Sequence, residues 1–153
     1  MANAASALQT MKILHRAFSF GVLIFAGVVT FLVASKSASN VIADFESTMQ
    51  IMAVVLAVAA VFIGERIFKN KLLVIREEKD LRVKIDLYRQ ASIVQWALLE
   101  GAALFSIIGF YLSTNYAFLA LAVFIIIYFI VLTPNATKIN LLTGITPEEL
   151  NNL

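Results

Sequence analysis

The chain has 153 residues, of which 61% are hydrophobic and 14% charged, against about 45–50% and 25% in ordinary globular chains. A net charge of +2 argues against a nucleic-acid partner, and the absence of cysteine excludes a disulfide framework and any thiolate metal centre. The apolar residues fall in long runs rather than in period-2 or period-3.6 stripes, which predicts an integral membrane protein with lipid as its solvent.

Residues 1–10 are small and polar, without a charged side chain, and read as a mobile tail. Lys12, His15 and Arg16 then precede an uncharged run over residues 17–35. A secretory signal core is about 7–15 residues, so this longer run predicts a retained first transmembrane helix. Residues 36–46 form a short polar loop before a second span at 47–68. On that span Ala53, Ala57, Ala60 and Gly64 follow helical spacing and make one face of small residues, the kind that lets two backbones pack closely in a membrane.

Residues 69–90 carry most of the charge, with neither glycine nor proline. Both flanking spans are expected to continue into water as helices and to turn near residues 77–80. Leu81, Val83, Ile85 and Leu87 alternate with polar residues, so a short strand is the alternative there. A third span at 91–112 leads through Ser113-Thr114-Asn115 into a fourth at 116–132, which Pro134 ends. In the tail, residues 133–153, Thr146-Pro147-Glu148-Glu149 supplies an N-cap, a proline at N1 and acids in the first turn, predicting a short helix. Asn135-Ala136-Thr137 matches a glycosylation acceptor but falls on the cytoplasmic side of the predicted topology.

That topology follows from lysine and arginine placement. Nearly all of them flank the N-terminal end of span one, the middle loop and the C-terminal tail, while the two other loops carry only Lys36. Cytoplasmic loops are the basic ones, so both termini and the charged loop are expected inside a bacterial inner membrane. The predicted fold is an all-α, four-helix transmembrane bundle, N-in and C-in, with cytoplasmic helical extensions and a short C-terminal helix.

One residue interrupts the third span: Glu100. An ionised acid at the bilayer centre costs about 2.5–3.5 kcal/mol on insertion scales, which makes it a functional-site hypothesis by default. With Gln90 as the inner boundary, a rise of 1.5 Å per residue puts Glu100 about 15 Å deep, near the midplane. The same count brings Gly27, residues 57–60 and Tyr128 to that level. The Tyr128 hydroxyl and the Trp96 indole, one turn back, are its candidate partners, and Ala97 and Gly101 provide close packing beside it. Gln95 lies about 140° around the helix and serves another face. Glu65 and Arg66 are weaker candidates near the inner end of span two, where Glu65 can pair with Lys69 and Arg66 can reach the interface. His15 reads as an interfacial residue.

Two readings of Glu100 stay open: a proton or ion carrier, or a structural contact between helices. No GxSxG, HExxH, phosphate-binding loop or Cys/His cluster is present, so no enzyme activity, cofactor or metal is expected. The expected partners are the bilayer and further copies or a larger membrane complex.

Two resemblances bear on this. Tyr88-Arg89, the run from Ala97-Leu98-Leu99 through Glu100-Gly101-Ala102-Ala103-Leu104-Phe105, Pro134, Lys138 and Glu148-Glu149 together resemble small four-span membrane proteins of Bacteroidota with no established activity. That likeness implies the fold and draws attention to Glu100. Glu100 followed by small residues is also similar, over about ten residues, to the ion-binding helix of the rotor-ring proteolipids of rotary ATPases. The first span departs from that family by having Gly21 and Gly27 without closely repeated glycines.

Overall fold

The computed structural model describes residues 4–36, 38–146 and 148–149, with side chains from Leu8 onward. Its elements are α1 (Ala4–Ala34), a single 3-10 turn (Ala43–Phe45), α2 (Glu46–Glu77), α3 (Leu81–Ser113), α4 (Tyr116–Val131) and α5 (Ala136–Thr143). No strand occurs among the described residues, and the alternating stretch after Asp80 is the first part of α3. Residues 4–10 belong to α1, which corrects the expectation of a mobile tail.

Local chemistry sets the helix ends. Between α2 and α3 the Glu78 carboxylate accepts from the backbone N–H groups of Lys79 (2.8 Å) and Asp80 (3.0 Å), and Asp80 then caps α3 by accepting from Arg82 N–H (2.8 Å). Thr114 closes α3 in the left-handed region at φ 55°, and the Asn115 side chain caps α4 through Ala117 N–H (2.9 Å). The segment after α1 is tied to this same turn. Val41 N–H donates to Leu112 O (3.0 Å), and Glu46 accepts from the side chains of Asn115 and Asn40.

α4 ends where Pro134 withdraws a backbone donor. Asn135 then caps α5 by accepting from Lys138 N–H (2.7 Å), and Gly144 terminates it at φ 77°. α5 was not anticipated; its capping asparagine is the residue that reads as a glycosylation acceptor. Beyond it, Thr146 and Glu149 form a reciprocal capping box, Thr146 N–H donating to Glu149 Oε2 (2.8 Å) and Glu149 N–H to Thr146 Oγ1 (3.2 Å). Residues 148–149 are helical, and the proline between cap and helix lies outside the described residues.

Three helices, within Leu8–Ala34, Ala43–Glu77 and Leu81–Ser113, are long and apolar enough to cross a membrane. α4 has 16 residues, about 24 Å at 1.5 Å per residue, short of a core about 30 Å thick. The α4–α5 pair, bent by 77°, makes a fourth candidate span if taken together. The outer faces of the long helices are apolar, with Phe20, Ile24 and Phe31 on α1 and Ile51, Val55 and Phe62 on α2 all exposed.

α3 is the axis of the bundle and packs against α1, α2 and α4. Half of its most apolar stretch is buried, against 11% for α1. The buried small face of α2, Ala53, Ala57, Ala60 and Gly64, sets the approach of α2 to α3. A β-carbon on Gly64 would lie 3.2 Å from Gln95 Cγ and 3.8 Å from Leu98 Cδ1. The opposite contact is tighter. A β-carbon on Gly109 would lie 2.5 Å from Cδ1 and 2.6 Å from Cε1 of Phe118, so only glycine admits that ring.

Candidate functional site

The inward face of α1 carries Met11, His15, Val22 and Val29, all buried and spaced by four or seven residues. His15 is 3% exposed and is held inside the bundle rather than at its surface. Its Nε2 lies 3.0 Å from Phe129 O. A carbonyl only accepts, so Nε2 carries the proton. The ring stacks on Phe129 (centroids 4.6 Å apart) and meets Trp96 edge-on (5.0 Å). The contact has a local cause: the last carbonyls of α4 lack intrahelical donors. Leu132 N–H turns back to Phe129 O (3.0 Å), Thr133 N–H to Ile130 O (3.1 Å), and His15 adds a second donor to Phe129 O. One histidine therefore fastens α1 to the end of α4.

Beside it, α2, α3, α4 and α5 enclose a cavity of about 310 Å³ that opens at the surface. Its polar lining includes Glu65, Lys69, Gln95, Trp96, Tyr128 and Lys138, with Tyr88 and Ser92 beside them. Tyr128 donates to Glu65 Oε1 (2.9 Å), and Lys69 pairs with Glu65 Oε2 (2.7 Å). The Glu65–Lys69 pair is exposed at i,i+4 and contributes only about 0.3–0.5 kcal/mol; its role is to occupy the second carboxylate oxygen. Lys138 is half-buried and forms no ion pair or side-chain hydrogen bond with a described residue. Its helix is turned by 77° from α4. Gln95 and Trp96 are 6% and 1% exposed, and neither side chain has a hydrogen-bond partner among the described residues. Arg66 is exposed and does not line this cavity.

Glu100 lies apart from this group. It borders a void of about 10 Å³ with Ser19, Val22, Ala103, Ile125, Ile126 and Phe129, between α1, α3 and α4. That is about the least volume that holds one water. The Ser19 hydroxyl is committed to His15 O (2.8 Å), and the half-buried Glu100 carboxyl has no hydrogen-bond or ion-pair partner among the described residues. Its expected partners are engaged elsewhere, Tyr128 with Glu65 and Trp96 against His15.

The level of Glu100 along the bundle follows from its neighbours. On α1 these are Ser19 and Val22, about 4.5–9 Å beyond Arg16 at 1.5 Å per residue. Gln95 packs at Gly64, next to the charged Glu65 and Arg66, and Glu100 is about 7.5 Å further along α3 than Gln95.

The expectation for Ala97 and Gly101 also changes. Both are exposed, and a β-carbon on Gly101 meets nothing within 4 Å. With the exposed Val94 and Ile108 they form a strip on α3 that no helix among the described residues covers. Glu100 sits at the edge of that strip, about 60° around the helix from Ala97.

Among the described residues no group of three or more His, Asp or Glu side chains is placed to hold a metal ion. The chain matches no family model, no curated protein and no solved structure. Sequence reasoning missed the parts of Lys138 and His15. The inward spacing of Met11, His15, Val22 and Val29 was a readable signal for the second; the turn that carries Lys138 back to the bundle was legible only through the Asn135 cap and Gly144.

Proposed function

We propose that this chain is a non-enzymatic subunit of the bacterial inner membrane that pairs with a second copy of itself along the outer strip of α3. In this reading four helices cross the bilayer, α4 with a short span, and both termini are cytoplasmic. Of the twelve lysines and arginines only Lys36 lies at the opposite end of the bundle from the α2–α3 turn, and basic residues favour the cytoplasmic side.

The observation that carries the pairing is the Glu100 carboxyl, which has no partner among the described residues yet borders a strip of small residues. Association in membranes relies on close packing and interhelical hydrogen bonds, and the Ala97-x-x-x-Gly101 spacing suits both. In a two-fold pair each residue meets its own counterpart or that of a neighbouring position. Two Glu100 carboxyls then satisfy each other if one or both are protonated, since a protonated acid donates and accepts. Ion carriage by Glu100 would need a hydrated route, and the void beside it holds about one water; self-pairing is the better-supported reading.

Single-molecule photobleaching of labelled protein in liposomes tests it. Wild type should bleach mainly in two steps, Gly101→Leu in one. Glu100→Leu should weaken association by roughly 5–30-fold, as a loss of about 1–2 kcal/mol implies. A wild type that bleaches in single steps at high protein-to-lipid ratio would end this reading.

A further inference from the structure

The cavity at the α2–α3–α4–α5 junction adjoins, at Tyr128, a groove that the pairing does not use. Tyr128 lines both the polar cavity and an apolar groove of about 210 Å³ between α2 and α4, which also includes Val58, Phe62, Leu121 and Phe124. Val54 and Leu121 then join that groove to a third hollow of about 420 Å³ further along the same seam, towards Ala117. From Tyr128 to Leu121 the seam runs seven residues of α4, about 10 Å, within the half-thickness of a bilayer core. It is cationic and polar at the end beside the α2–α3 turn and apolar from Tyr128 onward.

The polar end lacks an anion. Glu65 is the one acid that lines it, and both its oxygens are engaged, by Tyr128 and by Lys69. Among the described residues Lys138 keeps three donors without an acceptor, and the Gln95 amide and the Trp96 indole N–H add donors that likewise have no partner. We infer that this seam binds one anionic phospholipid of the leaflet at the α2–α3 turn, its headgroup phosphate on Lys138 and one acyl chain along α2 and α4. A phosphate suits Lys138 because an ammonium meets it as a point charge, and basic pockets between membrane helices take anionic headgroups in this way. The apolar groove that shares Tyr128 with the Lys138 cavity favours a lipid over a free phosphate compound. The inference rests on the membrane setting proposed above but not on the α3 pairing, because Lys138 does not border the Ala97 strip.

The test is native mass spectrometry of the full chain in detergent, titrated with phosphatidylglycerol or phosphatidylcholine of matched acyl chains. Phosphatidylglycerol should bind about tenfold tighter or better. Lys138→Gln should bring the two lipids to within about twofold of each other, and Lys138→Arg should keep the preference. Val58→Trp, which fills the groove from an exposed position, should weaken both lipids several-fold. Equal binding of the two lipids to wild type, or an unchanged preference in Lys138→Gln, would overturn the inference. Displacement of the lipid by millimolar glycerol phosphate would assign the site to a free phosphate compound and overturn it as well. Because pairing is scored by photobleaching and lipid preference by mass, failure of one is distinguishable from failure of the other.

Discussion

Gly109→Ala isolates the contact between α3 and the start of α4. Its new β-carbon would lie 2.5 and 2.6 Å from two ring carbons of Phe118, about 1 Å inside the favourable carbon–carbon separation of 3.5–4.0 Å. Phe118 is 1% exposed and sits in the first turn of α4 just after the Asn115 cap, so the ring cannot move aside without moving the helix. Overpacking of this kind costs about 1–3 kcal/mol. Alanine offsets about 0.5–1 kcal/mol of that through its better helix propensity. The expected net loss is about 0–2.5 kcal/mol, read as a shift in the SDS-induced unfolding midpoint in mixed micelles. Gly21→Ala is the matched control, since a β-carbon there meets nothing within 4 Å; it should be neutral or stabilising. In a Phe118→Leu background the Gly109→Ala penalty should shrink, because the clashing ring carbons are gone. Equal effects of Gly109→Ala and Gly21→Ala would refute the packing described for α3 and α4.

Three further outcomes follow from named contacts. His15→Phe keeps the stack on Phe129 and removes the hydrogen bond, which should cost about 0.5–1.5 kcal/mol, because Phe129 O retains Leu132 N–H. His15→Ala, losing the stack as well, should cost clearly more in the same SDS titration; equal losses would mean that the ring contributes no packing. Tyr128→Phe removes a hydrogen bond to a carboxylate, nominally about 1.5–3 kcal/mol. With the Glu65 side chain 42% exposed, solvent screening brings the expectation to about 1 kcal/mol or less, and a loss above 3 kcal/mol would contradict the exposed geometry. Asn135→Ala should loosen α5 by about 1 kcal/mol, the usual worth of an N-cap, seen as faster amide exchange at Lys138 and Ile139 with α1–α3 unchanged.

Much of the architecture was legible because it rests on one-dimensional signals. Apolar run length marks α1 to α4, and Asp80, Asn115 and Pro134 mark where chains turn. What failed was inference across helices. Counting residues inward from Gln90 put Glu100 level with Tyr128 and made the two candidate partners. The Tyr128 hydroxyl is engaged by Glu65 instead and does not reach Glu100. Depth also says nothing about rotation: Tyr128 turns to Glu65 across the α2 seam, while Glu100 lies at the edge of the exposed α3 strip, bordering the void between α1 and α4. α5 went unseen because an asparagine followed by Ala-Thr satisfies two descriptions, and only its capping hydrogen bond to Lys138 N–H separates them.

The pairing of two α3 helices has a direct test, because the chain contains no cysteine and a single introduced thiol reports one contact. Ala97→Cys in native membranes, treated with a mild oxidant, should form a disulfide-linked dimer. Phe62→Cys, on the exposed face of α2, should not, and adding Glu100→Leu to Ala97→Cys should slow the cross-link. A cross-link at Phe62→Cys as fast as at Ala97→Cys, or none at Ala97→Cys, would contradict pairing along this strip.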